Sequence, residues 1–179
     1  VRRNIVYTSV AIVLIALSLT VLSILYLLPK LTSVDAQNQS AVLTALDGTP
    51  MTRATGVSFF TGGALEQTVE GVDTAGQPLF VIVQPGREIT TVYAKDIETE
   101  QAAVGTVMTH IADAASVVSH VLGITAPSSG AGAPGAGLLV WEVIARRRPS
   151  GFVYAYVDAH SGTILWHFTS SDTFRLWDQ

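Results

Sequence analysis

The sequence predicts an α+β protein: a single N-terminal transmembrane helix followed by two modules, each a helix packed on an antiparallel sheet. Three observations predict it. Residues 5–28 carry no charge. After them, a helix-type segment followed by a series of strand-like runs occurs twice, and turns rich in Gly and Asp separate the runs. With 179 residues, 49% of them hydrophobic and 13% charged, the chain can bury a core and is long enough for one domain or two small ones.

The uncharged run, IVYTSVAIVLIALSLTVLSILYLL, would reach roughly 36 Å as a helix, enough to cross a ~30 Å hydrocarbon core with some tilt. Tyr7 and Tyr26 fall near its ends, where amphipathic rings favour the headgroup level. Arg2 and Arg3 precede it, and residues 31–179 hold seven basic against fourteen acidic side chains. The positive-inside bias then puts the N-terminus in the cytoplasm and everything after the span outside. A cleaved secretory signal is the competing reading, with Val34-Asp35-Ala36 as a cleavage site. Its apolar region is typically about 7–15 residues, shorter than this run. Residues 1–30 are therefore read as a short cytoplasmic N-terminus and membrane anchor.

Residues 31–95 make the first module. Residues 35–47 read as a helix with Ala41, Leu43 and Leu46 on its apolar side and Asp47-Gly48 as its stop. Strand-like runs follow at Thr55–Thr61, Ala64–Asp73, Pro78–Gln84 and Glu88–Tyr93, with Gly62-Gly63 and Thr74-Ala75-Gly76-Gln77 as punctuation. Residues 96–179 make the second. Over 97–113, Thr99 can cap a helix whose Val104, Val107, Met108 and Ile111 recur at i, i+3, i+4 and i+7. Ser116–Ile124 fits a continued helix or a strand. Residues 126–137, APSSGAGAPGAG, read as a flexible insert without large side chains. Three strand signals close the chain, Leu138–Arg146, Phe152–Asp158 and Thr163–Phe168, joined by turns at 148–151 and 159–162. Each module alone would be marginal, so the two are expected to pack together.

The second module carries a specific string: Trp141-Glu142-Val143, a hairpin, then Tyr154-Ala155-Tyr156-Val157-Asp158 and Ser161-Gly162-Thr163-Ile164-Leu165. It resembles the PepSY-type module, whose signature is a W-E-V strand followed by a V-D-x-x-x-G-x-I-L hairpin. Glu70-Gly71-Val72-Asp73-Thr74-Ala75-Gly76 leading into Leu79–Val83 is similar to the companion pattern in the first module. Together with the N-terminal span, the layout resembles the TseB-like membrane-anchored regulators of bacterial cell-wall elongation, which have tandem cystatin-like folds. The insert 126–137 and the tail ending Phe174-Arg175-Leu176-Trp177 depart from that pattern. The resemblance implies two cystatin-like modules, structural roles for Trp141, Glu142, Val143, Asp158 and Gly162, and a non-enzymatic regulator near the penicillin-binding machinery of Gram-positive bacteria. PepSY-type modules also imply an alternative, an extracytoplasmic peptidase inhibitor or chaperone.

Composition and motifs narrow the chemistry. The acidic balance of residues 31–179 is the opposite of what a nucleic-acid partner requires. With no cysteine, disulfides, thiolate metal sites and a cysteine nucleophile are excluded. Gly130-Ala131-Gly132-Ala133-Pro134-Gly135 spells GxGxxG, but a strand rather than a helix follows it, so no cofactor is expected there. His110, His120, His160 and His167 show no metal-ligand spacing, and no metal is expected. Asp158 and His160 flank a turn, without GxSxG or SxxK elsewhere, so catalytic residues are not assigned and a membrane-tethered hydrolase stands only as a further alternative. Arg146, Arg147 and Arg148 form the one basic cluster after the anchor. They read as a solvated hairpin tip or as a contact to lipid headgroups, wall polymer or an acidic partner. Trp141 and Trp166 alternate with apolar neighbours and are expected in the core. The activity that the resemblance implies is binding: a partner in the same membrane, such as a penicillin-binding protein, held close by the anchor.

Overall fold

The computed structural model describes residues 17–19, 21, 35–62, 66–84, 89–125 and 137–170. The span expected over 5–28 lies outside the described residues except for 17–19 and 21, which are helical. Among the described residues no helix is long and apolar enough to cross a membrane. The insert expected at 126–137 also lies outside them, save Gly137.

Residues 41–179 form one compact unit that contains two four-stranded antiparallel sheets. Helix α1 covers 35–48. The first sheet is β1 (Met51–Phe60), β2 (Glu66–Asp73), β3 (Pro78–Val83) and β4 (Thr90–Tyr93), in that spatial order. A 3-10 turn at Ala94–Asp96 leads to helix α2, Glu100–His110. The second sheet is β5 (Ala114–Ile124), β6 (Leu139–Arg147), β7 (Phe152–Asp158) and β8 (Ile164–Ser170), again in chain order. The helix-then-meander scheme is thus repeated, and Ser116–Ile124 belongs to a strand. Register shifts between Ala114 and Ser116 and between Val117 and Ser119 break the period of two there, which is why alternation alone did not separate strand from helix.

Both helices lie on their sheets through small side chains. In α1 the buried pair is Ala41 and Ala45, packed on Met51, Val69, Leu79 and Val81. Leu43, expected on the apolar side, points outward and is 53% exposed. In α2, Ala103, Val107 and Ile111 enter the core with Leu122, Trp141 and Val143, while Met108, expected in the stripe, is only half-buried. An i, i+4 pair containing alanine, 41/45 in α1 and 103/107 in α2, lets the helix axis approach the sheet closely. Thr99 caps α2 as expected, its side chain accepting from the Ala102 amide at 3.2 Å.

The second face of the first sheet packs on the second module. Ile82 joins the core under α2, with Phe80 and Val92 beside it. On the opposite side of the second sheet, Phe60 from the end of β1 packs with Val121, Val140 and Tyr156. This close approach dictates two glycines. A Cβ on Gly123 would meet the Phe60 ring at 2.2 Å, and one on Gly62 would meet Tyr156 at 2.3 Å.

Gly123→Ala is therefore expected to destabilise the fold by about 1–3 kcal/mol, the usual cost of overpacking a filled core. Gly105→Ala, in α2 with open space around its Cβ, is expected to stabilise by about 0.5–1 kcal/mol. Urea unfolding of the two variants checks both signs.

Candidate functional site

Strand β6 places the W-E-V residues. Because successive side chains in a strand point to opposite faces, Trp141 and Val143 enter the core under α2 while Glu142 faces the other way. Trp141 is 2% exposed, as its apolar alternation predicted. Its ring meets Phe80 of the first sheet edge-on at 5.5 Å. Its indole Nε1 donates to the Glu98 carbonyl at 2.9 Å, and the Glu98 amide donates to the Ala159 carbonyl at 2.7 Å. The linker before α2 is thereby tied to β6 and to the last hairpin at once.

Glu142 is 1% exposed. Its carboxylate accepts from the Thr61 amide at 3.2 Å, from the Thr61 hydroxyl at 3.0 and 2.9 Å, and from the Tyr156 hydroxyl at 2.9 Å. Burial, then the adjacent Glu142 charge, pushes the Tyr156 phenol well above its ordinary value, so Tyr156 stays protonated and remains a donor. Two adjacent residues of β6 therefore hold the first module from the two sides of the second sheet.

A second set of polar groups fills the seam between β2 and the outer edge of β5. Glu66, Thr68 and Glu70 alternate on one face of β2. The Ile124 amide donates to Glu66 Oε2 at 3.0 Å, Gln84 Nε2 donates to Glu66 Oε1, and the Thr68 hydroxyl donates to the Leu122 carbonyl at 2.5 Å. Glu70 is half-buried; burial first, then the Glu100 charge, raises its pKa, with His120 opposing. His120 Nδ1 lies 3.5 Å from Glu100 Oε2, beside a shallow hollow of about 350 Å³. Among the described residues no group of three or more His, Asp or Glu is placed to hold a metal ion.

The two Asp–Gly turns are built alike. Asp73 Oδ1 accepts from the Ala75 and Gln77 amides, both at 2.8 Å, and Asp158 Oδ1 accepts from His160 at 3.0 Å and Ser161 at 2.7 Å. Gly76 and Gly162 take the left-handed conformation each turn needs, at φ 76° and 69°. Partial burial pushes the Asp158 carboxyl up, and the Ser161 and His160 amides, the Ser161 side chain and the His160 charge outweigh it, holding it below the ordinary range. Asp158 bonds the backbone of His160, and Ser161 Oγ bonds Thr163 Oγ1 at 2.8 Å. These contacts close a turn.

The arginine cluster divides. Arg147 Nε pairs with Asp113 Oδ2 at 2.5 Å, and that guanidinium holds the Asp113 carboxyl below its ordinary range. Arg146 and Arg148 are exposed, and the Arg148 amide donates to the Asp113 carbonyl at 2.9 Å. Trp166 corrects an expectation: it is half-buried on the face away from α2, stacked on Tyr156 at 5.4 Å. The register shift opposite Tyr156 and Val157 inserts Leu165 as an extra residue, so Ile164 and Trp166 end on opposite faces. The GxGxxG stretch at 130–135 lies outside the described residues. Thr61, Glu66 and Thr68 were not singled out by sequence reasoning: Thr61 only ends a strand-like run, and in EQTVEGVD Glu66 and Thr68 carry the polar half of an ordinary alternation, which reads as a solvent face.

No protein-family model and no curated protein matches the sequence. Among solved structures, the chain is similar to the YpmB protein from Bacillus subtilis, with a TM-score of 0.60 and 22% identity over 74% of this chain and 96% of that one. The two share a fold. At that identity the YpmB likeness carries the architecture alone, and it spans nearly the whole of that chain.

Removing the Glu142 carboxylate leaves the buried Tyr156 hydroxyl without its acceptor. Glu142→Ala should cost about 2–4 kcal/mol in urea unfolding, and Tyr156→Phe in the same chain should recover part of it, because no buried hydroxyl is then left unpaired. Additive losses would show that the two groups are not coupled.

Proposed function

We propose that the chain is a membrane-anchored, non-enzymatic regulator that acts by binding a membrane partner, in the manner of the TseB-like regulators of cell-wall elongation. In this reading residues 1–30 anchor it with the N-terminus in the cytoplasm and both sheets outside. The partner is a cell-wall synthesis protein such as a penicillin-binding protein. One observation carries the reading: the polar groups of the motif string are engaged in holding the fold. Glu142 is occupied by Thr61 and Tyr156, and Asp158 by its turn amides. The groups left toward solvent at the hairpin tip are Arg146 and Arg148, which suit contact with an acidic surface rather than bond-making chemistry. The acidic balance of residues 31–179 and the uncharged run at 5–28 support the same reading.

Crosslinking in intact cells, from a photoreactive group placed at position 150 of the full chain, exposed beside the arginines, tests it. The expected catch is dominated by a wall-synthesis membrane protein. Changing Arg146 and Arg148 to Ser should reduce that catch several-fold at low salt and little at high salt, because exposed charges are screened beyond about 8–10 Å at physiological ionic strength. Releasing residues 31–179 from the anchor should reduce it further, since confinement in one membrane raises effective concentration. A catch dominated by a peptidase, or substrate turnover lost on His160→Ala, would overturn the proposal.

A further inference from the structure

The side of the second sheet away from α2 is covered by the first module around Tyr156, where Phe60 and Gly62 sit. From there toward the turn at 148–151, the register of β6, β7 and β8 sets out two further rows on the same face. Ile144, Tyr154 and Phe168 make one, and Arg146 with Phe152 the next. Trp166 extends the Tyr156 row into β8. Ile144, Phe152, Tyr154 and Trp166 are half-buried, Phe168 is 37% exposed, and Arg146 is exposed. The acids that β6 and β7 place on this face are already engaged. Glu142 is buried against Thr61 and Tyr156, and Asp158 closes its turn at the other end of β7.

Ring geometry and charge say what this face meets. Tyr154 and Phe168 are cross-strand partners whose rings stack at 4.7 Å and 4°, and Tyr156 and Trp166 stack at 5.4 Å and 17°. Rings stacked at about the spacing of neighbouring strands turn their faces to each other and their edges outward. The surface therefore shows hydrocarbon edges with a phenol and an indole N–H, not the open ring faces that stack a base or a sugar. Its free charge is the cation of Arg146, although residues 31–179 as a whole are net −7. A second copy docked face to face would bring the same patch to both sides, so it would offer Arg146 no free carboxylate. Aromatic rings beside arginine are the combination that settles at the headgroup level of a bilayer, the cation on lipid phosphate.

We infer that this face docks on an anionic lipid surface, with Trp166 and Phe168 at the boundary of headgroups and acyl chains and Arg146 on the phosphates. The inference rests on the membrane-anchored reading above and adds an orientation to it: the second sheet lies with this face toward the bilayer. From Leu28, where the uncharged run ends, to Ala41, where the compact unit begins, even a fully extended chain reaches at most about 45 Å. The tether keeps the lipid surface at high effective concentration, so a weak contact is enough to orient the unit.

Fluorescence quenching tests it, with the full chain reconstituted in vesicles whose lipids carry brominated acyl chains. The tryptophans are Trp141, Trp166 and Trp177. A Trp177→Phe background leaves Trp166 and the core residue Trp141, which is 2% exposed. Adding Trp166→Phe isolates the Trp141 signal, whose buried emission also reports an intact fold. In vesicles of equal parts phosphatidylcholine and phosphatidylglycerol, Trp166 should be quenched and Trp141 should not. Arg146→Ser should lower the ratio of docked to undocked face about five-fold, the worth of one cation near an anionic surface, and by less in high salt. Phosphatidylcholine alone should lower it at least as much. The inference is overturned if Trp166 is quenched no more than Trp141, or if Arg146→Ser and neutral lipid leave the quenching unchanged. Quenching that appears only after removal of residues 171–179 also overturns it, by giving the face to the chain's own C-terminal residues. Flotation with neutral vesicles in high salt reads the anchor separately. A chain that fails to float loses the membrane-anchored reading, while quenching of its Trp166 by added anionic vesicles still decides the face.

Discussion

The outer edge of β5 is the constraint around which the molecule is arranged. A strand at the end of a sheet presents backbone N–H and C=O groups that need partners, and burying them unmet is costly. Over Val121–Gly123, at its C-terminal end, the edge is buried, and there it is satisfied by side chains rather than by another strand. Glu66 accepts the Ile124 amide and Thr68 donates to the Leu122 carbonyl, so β2 crosses β5 with its side chains aimed at the edge. Glu66 is itself engaged by Gln84, and both it and Thr68 are 1% exposed. This arrangement fixes where the first sheet stands on the second.

Everything else at the junction follows from that placement. With β2 seated on β5, the end of β1 reaches over the far side of the second sheet, bringing Phe60 onto Gly123 and Thr61 to Glu142. On the near side, Phe80 and Ile82 of β3 enter the core under α2 and meet Trp141. The Trp-Glu pair is effective because a strand turns adjacent side chains to opposite faces: one residue grips through apolar contact, the next through a buried carboxylate. Trp141 and Glu142 thus fasten the two sheets together.

Much of this was legible from the residues. Trp141 alternates with Leu139 and Val143, and its burial follows; Asp73-x-x-Gly and Asp158-x-x-x-Gly announced turns that their carboxylates and left-handed glycines close. Thr99 announced the start of α2. What was not legible has identifiable causes. Periodicity gives the faces of a helix but not which of two adjacent stripes seats it, and small residues at 41, 45 and 103 decided that against Leu43 and Met108. A bulge at Leu165 moved Trp166 to the other face. The alternation of Glu66, Thr68 and Glu70 looks the same whether the polar face meets water or another strand's edge, because the pattern records polarity and not the partner.

Native-state hydrogen exchange at the Ile124 amide tests the central claim most directly. If Glu66 closes a buried edge that unites the two sheets, this amide exchanges only through global unfolding, at the same free energy as amides of the central strand β6 such as Val143. Exchange through a low-energy local opening, as at a frayed strand edge, would contradict the account.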